Sequence, residues 1–216
     1  MFQNRTEAGR KLASKLSAYC GQPDVLVLAL PRGGVPVAAE IARALHAPVD
    51  VFVVRKLGVP WNPELAMGAV ATGGVRVLEE ETVQSLAISR EEIAKVAAGE
   101  EIELERREQA YRGSRVPLPI AGRKVILVDD GIATGSTMRA GVAALRKLKP
   151  ARIVIAAPVA SRATCAMLRR VADEVVCAIE AEDFFAIGEW YEDFTQLSDK
   201  DVQDLLGNAS GLITAA

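Results

Sequence analysis

The stretch Val125-Ile-Leu-Val-Asp-Asp-Gly-Ile-Ala-Thr-Gly-Ser-Thr137 decides how this chain is read. Val125 to Val128 are apolar and mostly β-branched, the signature of a short strand buried on both faces. Asp129 and Asp130 follow where that strand should leave its sheet. Glycines and hydroxyl-bearing residues come next, and a helical pattern covers residues 138–148. A strand that feeds a helix through such a loop makes a phosphate cradle. Backbone N–H groups at the helix start are unpaired, the helix dipole is positive there, and Gly135 lets an anion approach the main chain. Thr134, Ser136 and Thr137 add hydroxyl donors. Carboxylates beside a phosphate site repel it unless the ligand also brings vicinal hydroxyls and a metal ion, which they hold directly or through water. A sugar phosphate meets both demands. The pattern G-x-x-x-x-G-K-[ST] is absent, so a P-loop is not the explanation.

Upstream, residues 25–30 form another continuous apolar run, ending in Pro31-Arg32-Gly33-Gly34 before a helical pattern over 35–45. Gly33 and Gly34 permit close approach to an anion and Arg32 can meet phosphate oxygens, although the same four residues also fit a plain turn. A third strand over 49–54 is expected to deliver Arg55 and Lys56 to the same carboxyl edge, where ligands of open α/β sheets collect. Two cations at a strand end read either as anion ligands or as solvated surface charges. Further strands at 152–158 and 174–178, helices at 138–148 and 162–171, and an N-terminal helix over 6–18 complete the alternation. The pattern predicts an α/β fold in three layers, a parallel sheet with helices on both faces.

Residues 57–119 break this alternation. A Gly/Pro-rich loop is expected at 58–63 and a hairpin from 67–71 and 75–78 through Thr72-Gly-Gly74. Helices follow at 79–87 and 89–111, the second opened by a capping box of Ser89 and Glu92. Glu91–Lys95, Glu103–Arg107 and Glu108–Arg112 stand at i,i+4 and imply a solvated, charged face. Residues 181–194 hold five aromatics in a chain with 5% overall, suited either to packing or to stacking on a planar heterocycle. A closing helix over 199–206 and a frayed tail over 207–216 are expected.

Composition excludes several function classes. A chain of 216 residues with 50% hydrophobic and 25% charged residues fits a globular protein of one domain with an elaboration. Net charge −2 argues against a nucleic-acid surface. No apolar run approaches the roughly 20 residues of a membrane helix, and the N-terminus lacks a signal-peptide core, so a cytoplasmic protein is expected. Three scattered cysteines, Cys20, Cys165 and Cys177, suit small buried residues in a reducing compartment. His46 is the only histidine and falls at a helix end, where a capping or surface role is expected rather than a catalytic triad.

Residues 128–137, Val-Asp-Asp-Gly-Ile-Ala-Thr-Gly-Ser-Thr, closely resemble the phosphoribosyl-pyrophosphate (PRPP) loop of type I phosphoribosyltransferases. They depart from it at Gly131, where an apolar residue is usual, and at Ser136, where a second glycine is usual. The resemblance implies transfer of the 5-phosphoribosyl group from PRPP to a nitrogenous base, with Mg2+ and release of pyrophosphate. It implies that Asp129 and Asp130 are catalytic, holding the ribose hydroxyls and the metal through water, and that Ile132, Ala133, Thr134, Gly135, Ser136 and Thr137 bind the 5′-phosphate. Arg32, Gly33, Gly34, Arg55 and Lys56 would meet pyrophosphate, with a cis bond at Pro31–Arg32 as in the family's corresponding loop. Residues 57–119 would be the flap over PRPP. Residues 181–198 would be a hood, since F-x-I-G-x-x-Y-x-D over 185–193 is similar to that of hypoxanthine- and guanine-type members. There Phe185 would stack on the base, Ile187 would offer main-chain groups, and Asp193 or Glu192 would meet a ring nitrogen. The lysine that selects 6-oxopurines is not evident, so the acceptor stays open with a purine-like base favoured. A homodimer is implied by family habit. The alternative is a non-catalytic regulator of the same fold that binds PRPP or a nucleotide. A PRPP synthase would need a second similar domain, and no internal repeat is present.

Overall fold

Apolar runs without polar alternation need a sheet covered on both faces. The computed structural model describes the backbone of residues 1–211 and the side chains of residues 1–209. In chain order its elements are α1 (Arg5–Lys15), β1 (Val25–Ala29), α2 (Gly34–Leu45), β2 (Val49–Val51), β3 (Val54–Val59), β4 (Asn62–Ala71) and β5 (Val75–Leu78). They continue as α3 (Glu80–Ser85), α4 (Arg90–Arg112), β6 (Lys124–Val128), α5 (Ser136–Lys147), β7 (Arg152–Ser161), α6 (Arg162–Leu168), β8 (Glu174–Ala181) and α7 (Asp199–Gly211).

Five strands form one parallel sheet in the order β2-β1-β6-β7-β8. Side chains alternate across it. Val25, Val27, Ile126, Val128 and Val154 pack under α1, α2 and α7, while Leu26, Leu28, Val125, Leu127 and Ile153 pack under α5 and α6. The expected three-layer α/β architecture is the one found. Strands β7 and β8 run past the expected ends at 158 and 178, because their pairing continues to Ser161↔Ala181. Helix α6 stops at Leu168, short of 171.

The strand expected over 49–54 is divided. Phe52 N–H still bonds Ala29 in β1, but Val53 turns to Thr72, whose hydroxyl accepts from the Val53 N–H at 2.8 Å. From there the chain enters a separate antiparallel sheet, β3-β4-β5. The expected loop at 58–63 is the end of β3, a tight turn at Pro60–Trp61 and the start of β4. The expected β4–β5 hairpin is present, turning through Gly73 and Gly74 at positive φ.

Helix α4 carries the expected capping box at Ser89 and Glu92. Its Ile93, Ala97, Leu104 and Tyr111 enter the core shared with α2 and α7. Its charged face is not solvated throughout. Glu103–Arg107 is a surface pair, but Arg112 is buried, bonding Asp50 at 2.9 Å and the Val51 carbonyl at 2.8 Å as well as Glu108. A buried guanidinium needs such a full set of acceptors, and Asp50 beneath the end of α4 supplies the charge.

His46 caps α2 in the left-handed region (φ 54), its N–H on the Ala42 and Arg43 carbonyls. Cys165 and Cys177 are buried, whereas Cys20, expected to be buried, is exposed on the short turn after α1. Helix α7 continues past Leu206 to Gly211, so the expected frayed tail is helical over 207–211, and residues 212–216 lie outside the described residues. No helix among the described residues is long and apolar enough to cross a membrane.

Candidate functional site

The sheet order places a topological switch between β1 and β6. From β1 the chain passes outward to β2, and it returns on the other side of β1 as β6. Loops that follow two such neighbouring strands diverge and leave a crevice at the carboxyl edge. Both glycine loops singled out in the sequence flank this crevice. The Pro31–Arg32 peptide bond is cis, as the resemblance implied. A side chain at Gly33 would place its Cβ 2.0 Å from Asp130 Oδ2, so the two loops touch in a way only glycine allows.

The second loop is anchored from below and open above. Ile132 is buried, and its N–H bonds the Val159 carbonyl at 2.9 Å. Thr164 at the start of α6 donates its hydroxyl to the Ala133 carbonyl at 2.7 Å. Ala133, Thr134, Ser136 and Thr137 are exposed, and Gly135 (φ 76) turns the chain into α5, whose first N–H, that of Ser136, donates to Thr134 Oγ1 at 3.4 Å. Thr134 Oγ1 and Ser136 Oγ lie 3.2 Å apart, converging on the same helix end. Ile132 is thus an anchor of the loop rather than an exposed part of it.

The two acids differ. Asp129 Oδ1 accepts the Asp130 N–H at 2.9 Å, and burial, reinforced by the neighbouring Asp130, pushes its carboxyl well above the usual carboxylate range. Asp130 Oδ2 is held by Arg5 Nε at 2.7 Å. Arg5 also donates to the Thr195 carbonyl at 3.0 Å and lies 3.8 Å over the Phe194 ring. Tyr191 donates its hydroxyl to the Asp130 carbonyl, and burial followed by the charge of Asp130 pushes that phenol up. Arg5 and Tyr191 were not singled out in the sequence. Tyr191 lay inside the quoted aromatic motif, but Arg5 carried no local signal.

The expected cations are not gathered at one edge. Arg32 stands on the first loop, bonded to the Leu197 carbonyl at 2.7 Å and 3.8 Å from Asp199. Arg55 and Lys56 do not end a strand of the parallel sheet, because the chain has already crossed into β3. Arg55 pairs with Glu100 of α4 at 2.6 Å and Lys56 with Glu64 at 3.4 Å. Lys56 does line a cavity of about 660 Å³ together with Ser136 and Thr137, so β3 brings it beside the cradle. Arg55 lines a second cavity of about 340 Å³ with Pro63 and Glu100, a cavity that Lys56 lines as well.

On the far side lies the aromatic segment. Ile187 opens a 3-10 turn, and its side chain covers Gly131, where a Cβ would meet Ile187 Cγ2 at 2.5 Å. The unusual glycine in the acidic loop therefore makes room for this residue. Phe184 stacks with Trp190 at 6.4 Å and Tyr191 with Phe194 at 5.1 Å, whereas Phe185 is 85% exposed. Asp193 accepts from the Thr195 N–H and hydroxyl, which lower its carboxyl, and Glu192 is exposed.

No group of three or more His, Cys, Asp or Glu suited to a metal occurs among the described residues. Two adjacent carboxylates without a third protein ligand suit an ion such as Mg2+, which keeps its waters and takes oxygens from substrate phosphates.

The chain matches the family model "Phosphoribosyl transferase domain" over residues 2–193. It is 44% identical over 209 residues to Rv0571c of Mycobacterium tuberculosis, provisionally named a phosphoribosyl transferase, covering 97% of this chain and 47% of that protein. It thus spans about half the length of the curated relatives it matches over its whole extent. A shorter match, 47% identical over 51 residues, is to the bifunctional protein PyrR of Listeria monocytogenes, 23% of this chain and 28% of that one. Among solved structures, TT1426 from Thermus thermophilus superposes with TM-score 0.87 at 40% identity, covering 97% of this chain and 99% of the other. With the family model matched over nearly its whole length, this chain belongs to the phosphoribosyl transferase domain family.

Proposed function

We propose that the crevice between the β1 and β6 loops binds PRPP and that the protein transfers its 5-phosphoribosyl group to a heterocyclic base, a purine-like one being favoured. The observation that carries this reading is the pair of loops in contact at the switch point, one ending in a helix N-terminus with Ser136 and Thr137 exposed and headed by Asp129 and Asp130. A nitrogen of the acceptor forms a bond to C1′ as the bond from C1′ to the pyrophosphate oxygen breaks, with inversion and no enzyme nucleophile. Catalysis is then positioning and electrostatics. Residues 132–137 hold the 5′-phosphate. Asp129 and Asp130 hold the ribose hydroxyls and favour the positive charge that builds on the ring. Arg32, Gly33 and Gly34 meet the leaving pyrophosphate, with Lys56 from the cavity beside the cradle. Arg55 takes part only by leaving Glu100. Mg2+, held by the acid pair through water, would supply further positive charge to the pyrophosphate.

On the acceptor side, Phe185 stacks on the base and Ile187 offers main-chain groups. Asp193 has Oδ1 engaged by Thr195 and would meet a ring nitrogen through Oδ2, with Glu192 the other candidate. Residues 57–119 act as the flap, its free part being the β3–β4 turn with exposed Trp61, and residues 181–198 as the hood of a single transferase-like domain. A homodimer in the cytoplasm is the proposed setting. Pyrophosphate release from PRPP and Mg2+ with a panel of purines, pyrimidines and other heterocycles tests the reading. Release that depends on one acceptor supports it, and silence across the panel sinks it.

One observation favours a second reading, a non-catalytic PRPP or nucleotide binder. Arg32, Arg55 and Lys56 are each already bonded to an acceptor of the protein itself. Binding by calorimetry without turnover on any acceptor would select it.

A further inference from the structure

Arg5 lies 125 positions from Asp130 in sequence and yet completes its site. The backbone on its N-terminal side is pinned to the aromatic segment: Phe2 N–H bonds the Trp190 carbonyl at 2.7 Å, and the Glu192 and Asp193 N–H groups bond the Phe2 and Gln3 carbonyls, each at 2.9 Å. Asn4 caps α1 through its side chain, accepting from the Glu7 N–H at 3.0 Å, so the chain on the other side of Arg5 is fixed as well. Its side chain is 11% exposed, a costly place for a guanidinium unless its partners are good. They are: Asp130 Oδ2 at 2.7 Å, the Thr195 carbonyl at 3.0 Å and the Phe194 face at 3.8 Å.

The oxygen that Arg5 holds is also the one packed against Gly33. Asp130 is therefore wedged between the two loops with one oxygen committed to Arg5, and the orientation of its carboxylate is set from outside both loops. We propose that Arg5 is a positioning residue for the transfer reaction, acting through Asp130 to aim the acid pair and making that aim depend on the N-terminal segment seated on residues 190–195. This inference rests on the proposed reading of the crevice as a PRPP site.

A double-mutant cycle tests it, with Arg5→Gln, Asp130→Asn and the pair compared for PRPP affinity by calorimetry and for KM against kcat. Arg5→Gln is expected to weaken PRPP binding about tenfold, the coupling usual for residues in one ion-pair network. The double variant should be no worse than Asp130→Asn alone. Arg5→Lys, which can still reach Oδ2, should recover most of the loss. Losses that multiply, or an Arg5→Gln variant that binds like wild type, would overturn the proposal. If Arg5→Gln does not fold, the same cycle with Arg5→Met decides, since it keeps much of the side chain's length beside Phe194 and gives up the charge and both hydrogen bonds. Wild-type protein that binds no PRPP would end the transfer reading. Crystal structures then decide on Arg5 separately: an Asp130 carboxylate turned away in Arg5→Gln but not in Arg5→Lys supports it, and one unmoved in both overturns it.

Discussion

The two walls of the crevice are built by opposite means. On the wall formed by the two glycine loops, position comes from the backbone: the β6 strand is buried, Ile132 is bonded to β7, Thr164 holds the Ala133 carbonyl, and Gly33 lets the loops touch. On the aromatic wall, position comes from side chains laid over one another, Phe2 on Tyr191, Tyr191 on Phe194, Arg5 over both rings, with Phe185 left exposed. A backbone cradle suits a ligand whose charge and shape are fixed. Stacked side chains suit one whose identity can vary among relatives. Under the proposed reading the first wall takes PRPP and the second the acceptor, so variants on the two walls should separate.

The largest effect is expected for Asp129→Asn, with turnover falling about a hundred- to a thousandfold while circular dichroism stays unchanged. Its stability should move the other way. Burial and Asp130 raise the Asp129 carboxyl, so the folded protein favours the protonated acid. The stability this confers is complete below the ordinary carboxylate pKa and is lost as pH rises through the raised value. Removing the charge should therefore raise the melting temperature at neutral pH, and the gain should shrink as pH falls into the ordinary carboxylate range. A variant that melts lower at neutral pH would contradict this.

Next comes Gly33→Ala. Its methyl would sit 2.0 Å from Asp130 Oδ2, so the acid or the loop must move. Turnover should drop about a hundredfold, as for an active-site displacement of an ångström, with PRPP affinity falling too. Gly131→Ala pushes instead on Ile187, 2.5 Å away. Overpacking of this kind should raise the acceptor KM about tenfold and spare PRPP affinity. Equal damage to both ligands would dissolve the distinction between the walls. The smallest effect is expected for Phe185→Ala: no change in melting temperature for a ring 85% exposed, and an acceptor KM raised roughly fivefold by loss of stacking.

This difference between the walls also governs what the sequence reveals. Residues 125–137 could be read directly because each local feature, the apolar run, the acid pair and the small hydroxylated turn, has one structural outcome and all agree. The Pro31–Arg32 loop also fitted a plain turn, and its cis bond was expected only through the resemblance carried by residues 128–137. Arg55 and Lys56 were misplaced because residues 49–54 are uniformly apolar up to Val54 save for Asp50, and nothing in such a run marks that Val53 changes partner from β1 to Thr72. The Pro60–Trp61 hairpin was read as loop because its Gly and Pro residues mask the strand pattern on either side. Arg112 looked solvated because i,i+4 spacing shows a helix neighbour, Glu108, but not the Asp50 brought beneath it by the fold. Arg5 was illegible altogether: one of 26 lysines and arginines, given meaning only by long-range packing.

The central claim is that the acid pair between the touching loops forms a PRPP site. Calorimetric titration of PRPP with Mg2+ into wild-type protein and into the Asp129→Asn, Asp130→Asn double variant tests it most directly. The account predicts binding to the wild type and its loss in a double variant that is still folded. No binding to wild-type protein, or equal binding to both, would contradict it.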